Sequence, residues 1–207
     1  MLHGGFWRAK YDLTHASHLC AALAATGITT ANLEYRRVGN GGGWPATFDD
    51  ILAGVQNVTE AFGEPPLVIG HSAGGHLALL LAAHSPALKA VLALAPVADL
   101  QLAYALHLSN NAVADFLGGT PVQAPAAYTA ADPVLHSAAV RRVLLHGTDD
   151  DVVPLALSKS FLEKRRADTG TVELIELPKA GHMDLIDPES PAWETVLDSV
   201  QGLLRKD

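Results

Sequence analysis

Ser72 stands in the pentapeptide Gly70-His71-Ser72-Ala73-Gly74, a G-x-S-x-G pattern. A serine hydroxyl is a poor nucleophile until a base takes its proton. The pattern therefore matters only if a histidine and a carboxylate come within reach. Gly181-His182-Met183 supplies a histidine downstream, and Asp149-Asp150-Asp151 supplies carboxylates between the two. Serine, acid and histidine in that order suit attack on a carbonyl and acyl transfer to water, with no cofactor. Three adjacent aspartates repel one another, so most should face solvent or accept turn N–H groups. One could be buried against a histidine and hold its tautomer. Neither charge nor periodicity chooses among them. The competing readings are a Ser72 that merely caps a helix or receives an anion, and a His182 that merely sits on the surface.

A second cluster supports the first. In His3-Gly4-Gly5-Phe6-Trp7, paired glycines let backbone approach a ligand closely. The N–H groups of Gly5 and Phe6 could join that of Ala73 as donors to an oxyanion. Trp7 and Trp44 could wall a substrate pocket or pack the core. One of Arg36 and Arg37 is read as holding Glu34 or an aspartate in a structural ion pair, rather than a substrate carboxylate. Ten histidines raise the question of a metal. His71 and His76 are five apart, and His3 and His146 stand at strand ends. No H-E-x-x-H, C-x-x-C or compact Asp/His set appears, so no metal is expected. The glycines form no dinucleotide or phosphate loop. Cys20, the one cysteine, excludes an internal disulfide and reads as a packed thiol on a helix, since its flanks offer no activating group.

These residues need elements to position them. Leu2 reads as the last residue of a strand. Thr14 to Thr26 reads as a helix stopped by Gly27, and Ile28 to Tyr35 as a strand. A helix follows Thr47, with Thr47 and Asp50 at capping-box spacing. Leu67-Val68-Ile69 is a short apolar strand that turns at Ser72 into a helix from about Ala73 to His84. That strand–turn–helix setting is what a nucleophile on a sharp turn requires. Val91 to Leu94 is the next strand. Residues 96–139 hold Pro96, Pro121, Pro125 and Pro133, with helical stretches at Gln101 to Leu108 and Val113 to Leu117. They read as a cap-like insertion long enough to cover a site. Val140 to Leu145 is a strand, Leu155 to Ala167 a helix, Val172 to Leu177 a strand, and Trp193 to Leu204 the last helix. Short apolar strands alternating with helices predict a mostly parallel, doubly wound sheet clothed on both faces. All 207 residues read as one domain of α/β class.

Composition bounds the partners. The apolar fraction is 49%, which argues for a packed core rather than disorder. The net charge of −8 with no basic stripe disfavours nucleic acid and anionic membranes. No leader-like start and no apolar run of spanning length is present, so the cytoplasm is the expected location and no membrane partner is expected.

Taken together, His3-Gly4-Gly5-Phe6-Trp7, Gly70-His71-Ser72-Ala73-Gly74-Gly75-His76, His146-Gly147-x-x-Asp150-x-x-Val153-Pro154 and Gly181-His182 resemble α/β-hydrolases of the carboxylesterase and hormone-sensitive-lipase-like group. The nearest resemblance is to the kynurenine formamidase (arylformamidase) branch of small esterases, whose usual H-G-G-Y-W is departed from at Phe6. The resemblance implies an α/β-hydrolase fold, and it selects Asp150 as the acid. It implies Ser72 as nucleophile, His182 as base, and Gly5, Phe6 and Ala73 as oxyanion donors. The implied activity is hydrolysis of small carboxylic esters through an acyl-enzyme. Aryl formamides such as N-formylkynurenine are the alternative substrate class, and a non-catalytic binding scaffold is the alternative of a different kind. Family members carry strands before His-Gly-Gly, whereas only Met1 and Leu2 precede it here. The edge so left is expected to belong to a longer chain or to be covered in a homodimer.

Overall fold

The computed structural model describes residues 1–85 and 87–205. Four parallel strands run in the order β1 (Leu67–His71), β2 (Ala90–Leu94), β3 (Arg142–Gly147) and β4 (Val172–Leu177). Leu2 extends the layer beyond β1 through single parallel bridges to Gly70 on one side and Leu33 on the other. Around the sheet lie α1 (Ser17–Ala25), α2 (Ala46–Phe62), α3 (Ala73–His84), α7 (Ala156–Arg165) and α8 (Trp193–Leu204). Between β2 and β3 the chain forms α4 (Leu100–Ala105), α5 (Ala112–Leu117) and α6 (Pro125–Ala131).

Side chains alternate across a strand, so each strand feeds two cores. Val68, Val91, Ala93 and Leu144 face the core built with α2, α3, α7 and the 96–139 insertion. Ile69, Leu92, Leu94, Val143 and Leu145 face the core built with α1 and α8. Helix α3 is buried on every side from Ala73 to Ala82, which explains a sequence that is apolar all round. At the start of β3, buried Arg142 donates to Asp168 at 2.9 Å and to the carbonyls of Val140, Ala138 and Gly170.

Two expectations are corrected, and one helix is added. The strand anticipated at Ile28 to Tyr35 is only an extended segment with one bridge, at Leu33. Its backbone bonds to the neighbouring segment go to Met1, which accepts from Leu33 N–H at 3.0 Å and donates to the Ala31 carbonyl at 2.6 Å. The capping box at Thr47 and Asp50 does not form. Helix α2 begins at Ala46 with Pro45 as its cap residue, and Thr47 lies inside the first turn. Thr47 Oγ1 instead accepts from Gly43 N–H at 3.0 Å and donates to the Arg36 carbonyl at 2.7 Å, while Asp50 takes the Arg36 guanidinium. Helix α6 has no counterpart among the helices expected within 96–139, and its first residue is Pro125. It sits at the first helical position, where a missing N–H costs nothing. Among the described residues no helix is long and apolar enough to cross a membrane.

The crossing of Leu2 over the turn after β1 leaves no room for a side chain. A Cβ on Gly74 would stand 2.2 Å from the Leu2 carbonyl oxygen, and one on Gly70 would stand 2.2 Å from that of Gly74. Gly74→Ala is therefore expected to lower the unfolding free energy by about 1–3 kcal/mol. Gly202→Ala on α8, where an added Cβ meets nothing within 4 Å, should raise it by about 0.5–1 kcal/mol. Urea unfolding of the two variants checks both signs, and equal effects would contradict the close approach.

Candidate active site

Ser72 occupies the residue between β1 and α3 with φ 56° and ψ −117°. An L side chain is strained there by about 1–3 kcal/mol. The strain is held by three backbone bonds. Ser72 N–H donates to the Leu94 carbonyl at 2.8 Å, and the Ser72 carbonyl accepts from His76 and Val97 at 3.1 and 3.2 Å. Its side chain makes no capping bond to α3, contrary to the simple N-cap reading.

The glycine loop leaves Leu2 and folds against this turn. A Cβ on Gly4 would stand 3.0 Å from both Ser72 Cβ and His71 Nδ1, so loop and turn are in contact. Gly5, Phe6 and Trp7 all have positive φ, at 110°, 51° and 57°. Arg8 N–H closes the turn onto the Gly5 carbonyl at 3.0 Å. Among the described residues, the N–H groups of Gly5, Phe6 and Ala73 donate to no protein acceptor. These are the groups expected as oxyanion donors. Behind the loop, His3 Nδ1–H donates to the Gly4 carbonyl at 2.8 Å and its Nε2 meets Glu34 Oε1 at 3.0 Å. The Tyr35 hydroxyl donates to the His3 carbonyl at 2.6 Å, and the two rings stack 4.2 Å apart. Arg37 lies 3.4 Å from Glu34 and Arg36 pairs with Asp50 at 2.8 Å, so both arginines, and not one alone, make ion pairs within the fold.

His182 lies in the loop after β4, and Asp150 in the loop after β3. The two loops are stitched together by Thr148 N–H to the Leu177 carbonyl, Asp149 N–H to the Ala180 carbonyl and Lys179 N–H to Thr148 Oγ1. The stitching brings His182 Nδ1 to 2.7 Å from Asp150 Oδ2. Asp150 Oδ1 accepts from the N–H groups of Val152 and Val153 at 2.9 and 2.8 Å. The Asp150 carboxylate is fully buried, whereas Asp149 and Asp151 are exposed, so the aspartate run divides as turn geometry requires. Burial alone would raise the Asp150 pKa. Its contacts with His146 and His182 and the Val153 N–H outweigh burial and hold the carboxyl well below the usual range.

Two site residues carried no assigned role in the sequence. His146 Nε2–H donates to the Val153 carbonyl at 2.8 Å and passes 3.3 Å from Asp150 Oδ2, while Ser158 Oγ–H donates to its Nδ1 at 2.7 Å. His71, adjacent to Ser72, lays its ring 4.5 Å from that of His182 and donates Nε2–H to the His182 carbonyl at 3.1 Å. That contact joins the Ser72 turn to the His182 loop. Nothing in their spacing marks it, since the partners are 111 residues apart.

Trp7 and Trp44 both pack around Phe116 of α5. Trp7 is fully enclosed, stacked 4.6 Å from Phe116 and edge-on to His76 at 5.2 Å, so the pocket-wall expectation for it is corrected: no surface is left for a substrate. Trp44 is half-buried, 5.7 Å from Phe48 and edge-on to Phe116. His3 and His146 serve separate networks, His76 donates to the Ala131 carbonyl, and no group of three or more potential metal ligands occurs among the described residues.

Comparison with known proteins bears on the family and the fold. The BD-FAE family model matches residues 1–164. The chain is 31% identical to esterase LipQ of Mycobacterium tuberculosis, covering 86% of this chain and 48% of that protein. It is 28% identical to esterase LipC of the same organism, covering 89% of this chain and 52% of that protein. The chain thus spans about half the length of the curated relatives it matches. An inhibited esterase B from Lactobacillus rhamnosis superposes with a TM-score of 0.82 at 20% identity, over 98% of this chain and 74% of that one, which establishes a shared fold.

The buried carboxylate makes a pH prediction. The native Asp150 binds its proton more weakly than the unfolded chain does. It therefore contributes stability that is fully present above the unfolded carboxylate range, about pH 4, and is lost as pH falls through the depressed native value. The Tm gap between the parent chain and Asp150→Asn is expected to be widest above that range and to narrow below it. A gap that grew on acidification would contradict the assignment.

Proposed function

The chain belongs to the BD-FAE family, within the α/β-hydrolase-fold esterase and lipase superfamily, and from this premise and the site geometry we propose that it is a serine hydrolase of small carboxylic esters. The reading rests chiefly on the His182 Nδ1–Asp150 Oδ2 contact of 2.7 Å, set beside the strained Ser72 turn by the bond from His71 to the His182 carbonyl. In the proposed cycle Ser72 Oγ attacks the ester carbonyl and His182 Nε2 takes the hydroxyl proton. Asp150 keeps the proton of His182 on Nδ1, leaving Nε2 as the base, and stabilises the imidazolium as it forms. The unspent N–H groups of Gly5, Phe6 and Ala73 receive the oxyanion. His182 then protonates the departing alcohol, and water repeats the sequence on the acyl-enzyme. No step needs a cofactor.

We propose that residues 96–139 act as a cap over this site. Arg8, two residues beyond Phe6, supports that role. Its guanidinium donates to the Ser109 carbonyl at 2.7 Å and to Asp115 at 3.0 Å, tying the glycine loop to the stretch between α4 and α5 and to α5 itself. Ester names among the relatives favour ester substrates. The aryl formamide alternative rests on the sequence resemblance alone, and a homodimer over the edge beside Leu33 also remains a proposal.

Ser72→Ala is expected to lose fluorophosphonate labelling and to lower kcat for a short p-nitrophenyl ester by at least about 10³-fold. A folded parent chain that neither labels nor hydrolyses would turn the reading toward a binding scaffold. The ratio of kcat/KM for that ester to kcat/KM for N-formylkynurenine separates esterase from formamidase. Arg8→Ala should speed limited proteolysis within 107–111, and unchanged cleavage would refute the tether.

A further inference from the structure

His71 has no part in the cycle above, yet it joins the Ser72 turn to the His182 loop. Its ring is fully buried. One face lies against His182 at 4.5 Å, and His15 from the 3-10 turn Leu13–Ala16 lies 5.5 Å away. The Nε2 atom is 3.1 Å from the His182 carbonyl oxygen, which can only accept, so Nε2 carries the hydrogen. The Nδ1 atom is buried without any partner. A second N–H there would be an unpaired buried donor on a charged ring, an arrangement costing several times what a satisfied group does. The backbone of Gly4 lies against that atom, since a Cβ there would stand 3.0 Å away. The ring is therefore fixed as the neutral Nε2–H tautomer.

We propose that His71 is a positioning residue, whose Nε2–H bond to the His182 carbonyl and ring contact with His182 hold the base in register with Ser72. The proposal rests on the reading that His182 is the base. The side chain of His182 is anchored at one end by Asp150. Its backbone is anchored at the other by a residue one peptide bond from Ser72. The distance between nucleophile and base is thus set by one covalent link and one hydrogen bond rather than by two independent loops. Neutrality is part of the device. When His182 accepts the serine proton, a charged neighbour at 4.5 Å would oppose it. Burial first, then the neighbouring His182 and His15, hold His71 well below the ordinary histidine range. Its own bond to the His182 carbonyl and the more distant Asp150 act the other way without prevailing.

Two variants and a spectrum test this. His71→Leu keeps much of the bulk and removes the donor, whereas His71→Gln keeps an N–H at similar reach. For a short p-nitrophenyl ester, His71→Leu is expected to lower kcat and the fluorophosphonate labelling rate together by about 10- to 100-fold, with KM within about twofold. His71→Gln should recover most of the loss. Long-range proton–nitrogen correlation of the unmodified chain should show the His71 imidazole as the Nε2–H tautomer, not titrating between about pH 5 and 8. A folded His71→Leu with the parent kcat would overturn the proposal, as would a His71 that titrates in that range or carries its proton on Nδ1. If His71→Leu does not fold, the spectrum and His71→Gln decide. Ser72→Ala, run alongside, keeps the two readings apart. Retained hydrolysis there defeats the serine mechanism, while its loss together with an indifferent His71 defeats only this inference.

Discussion

A fully buried carboxylate constrains the rest of this molecule. Taking Asp150 out of water is tolerable only if its lone pairs are filled, because an unpaired buried charge costs several kcal/mol. The chain fills them from two loops. Val152 and Val153 come from its own turn, His182 comes from the loop after the next strand, and His146 stands at the end of β3. The turns after β3 and β4 must therefore close on each other. The stitching bonds from Thr148, Asp149 and Lys179 are the visible result. The same charge that demands the packing then fixes which nitrogen of His182 is free.

A comparable economy governs the Ser72 side. The turn stores about 1–3 kcal/mol of backbone strain. Helix α3, which follows it, buries Leu77, Leu79, Leu80 and Leu81. Each fully buried leucine contributes about 1.5–3 kcal/mol relative to exposure, so the strain is offset several times over within the next three turns of helix. Such offset requires α3 to be docked on both strands that flank the turn. It is, on β1 and β2, and glycines at 70 and 74 remove the clashes that would stop it. Residues that look like chemistry in the sequence are, in part, clearance.

Local periodicity made much of this legible. Helix α3 spans Ala73–His84 and α8 spans Trp193–Leu204, as their apolar patterns require, and the four paired strands fall where short apolar runs predict them. What escaped depends on partners far along the chain. The segment around Leu33 has strand-like residues but finds one bridge, because pairing is decided by what lies beside it. Thr47 and Asp50 satisfy a local capping rule, yet the loop bearing Arg36 and Gly43 claims both. Among Asp149, Asp150 and Asp151 the choice came from resemblance. The physical reason, burial under His182, needs the meeting of two loops. Trp7 could have been wall or core until Phe116 arrived from the insertion and enclosed it.

The imidazoles show why such tertiary information matters for chemistry. His146, His182 and His71 are all buried, yet each is fixed differently. His146 spends both nitrogens, on Ser158 and on the Val153 carbonyl. His71 spends one nitrogen and has its other sealed without a partner. His182 spends Nδ1 on Asp150, and among the described residues its Nε2 has no protein hydrogen bond. Only the last arrangement leaves a nitrogen free to move a proton while a carboxylate stands ready to stabilise the product. Ten histidines in one sequence are chemically alike on paper. The sheet ends distinguish them by deciding, nitrogen by nitrogen, which hydrogen-bonding capacity is already used.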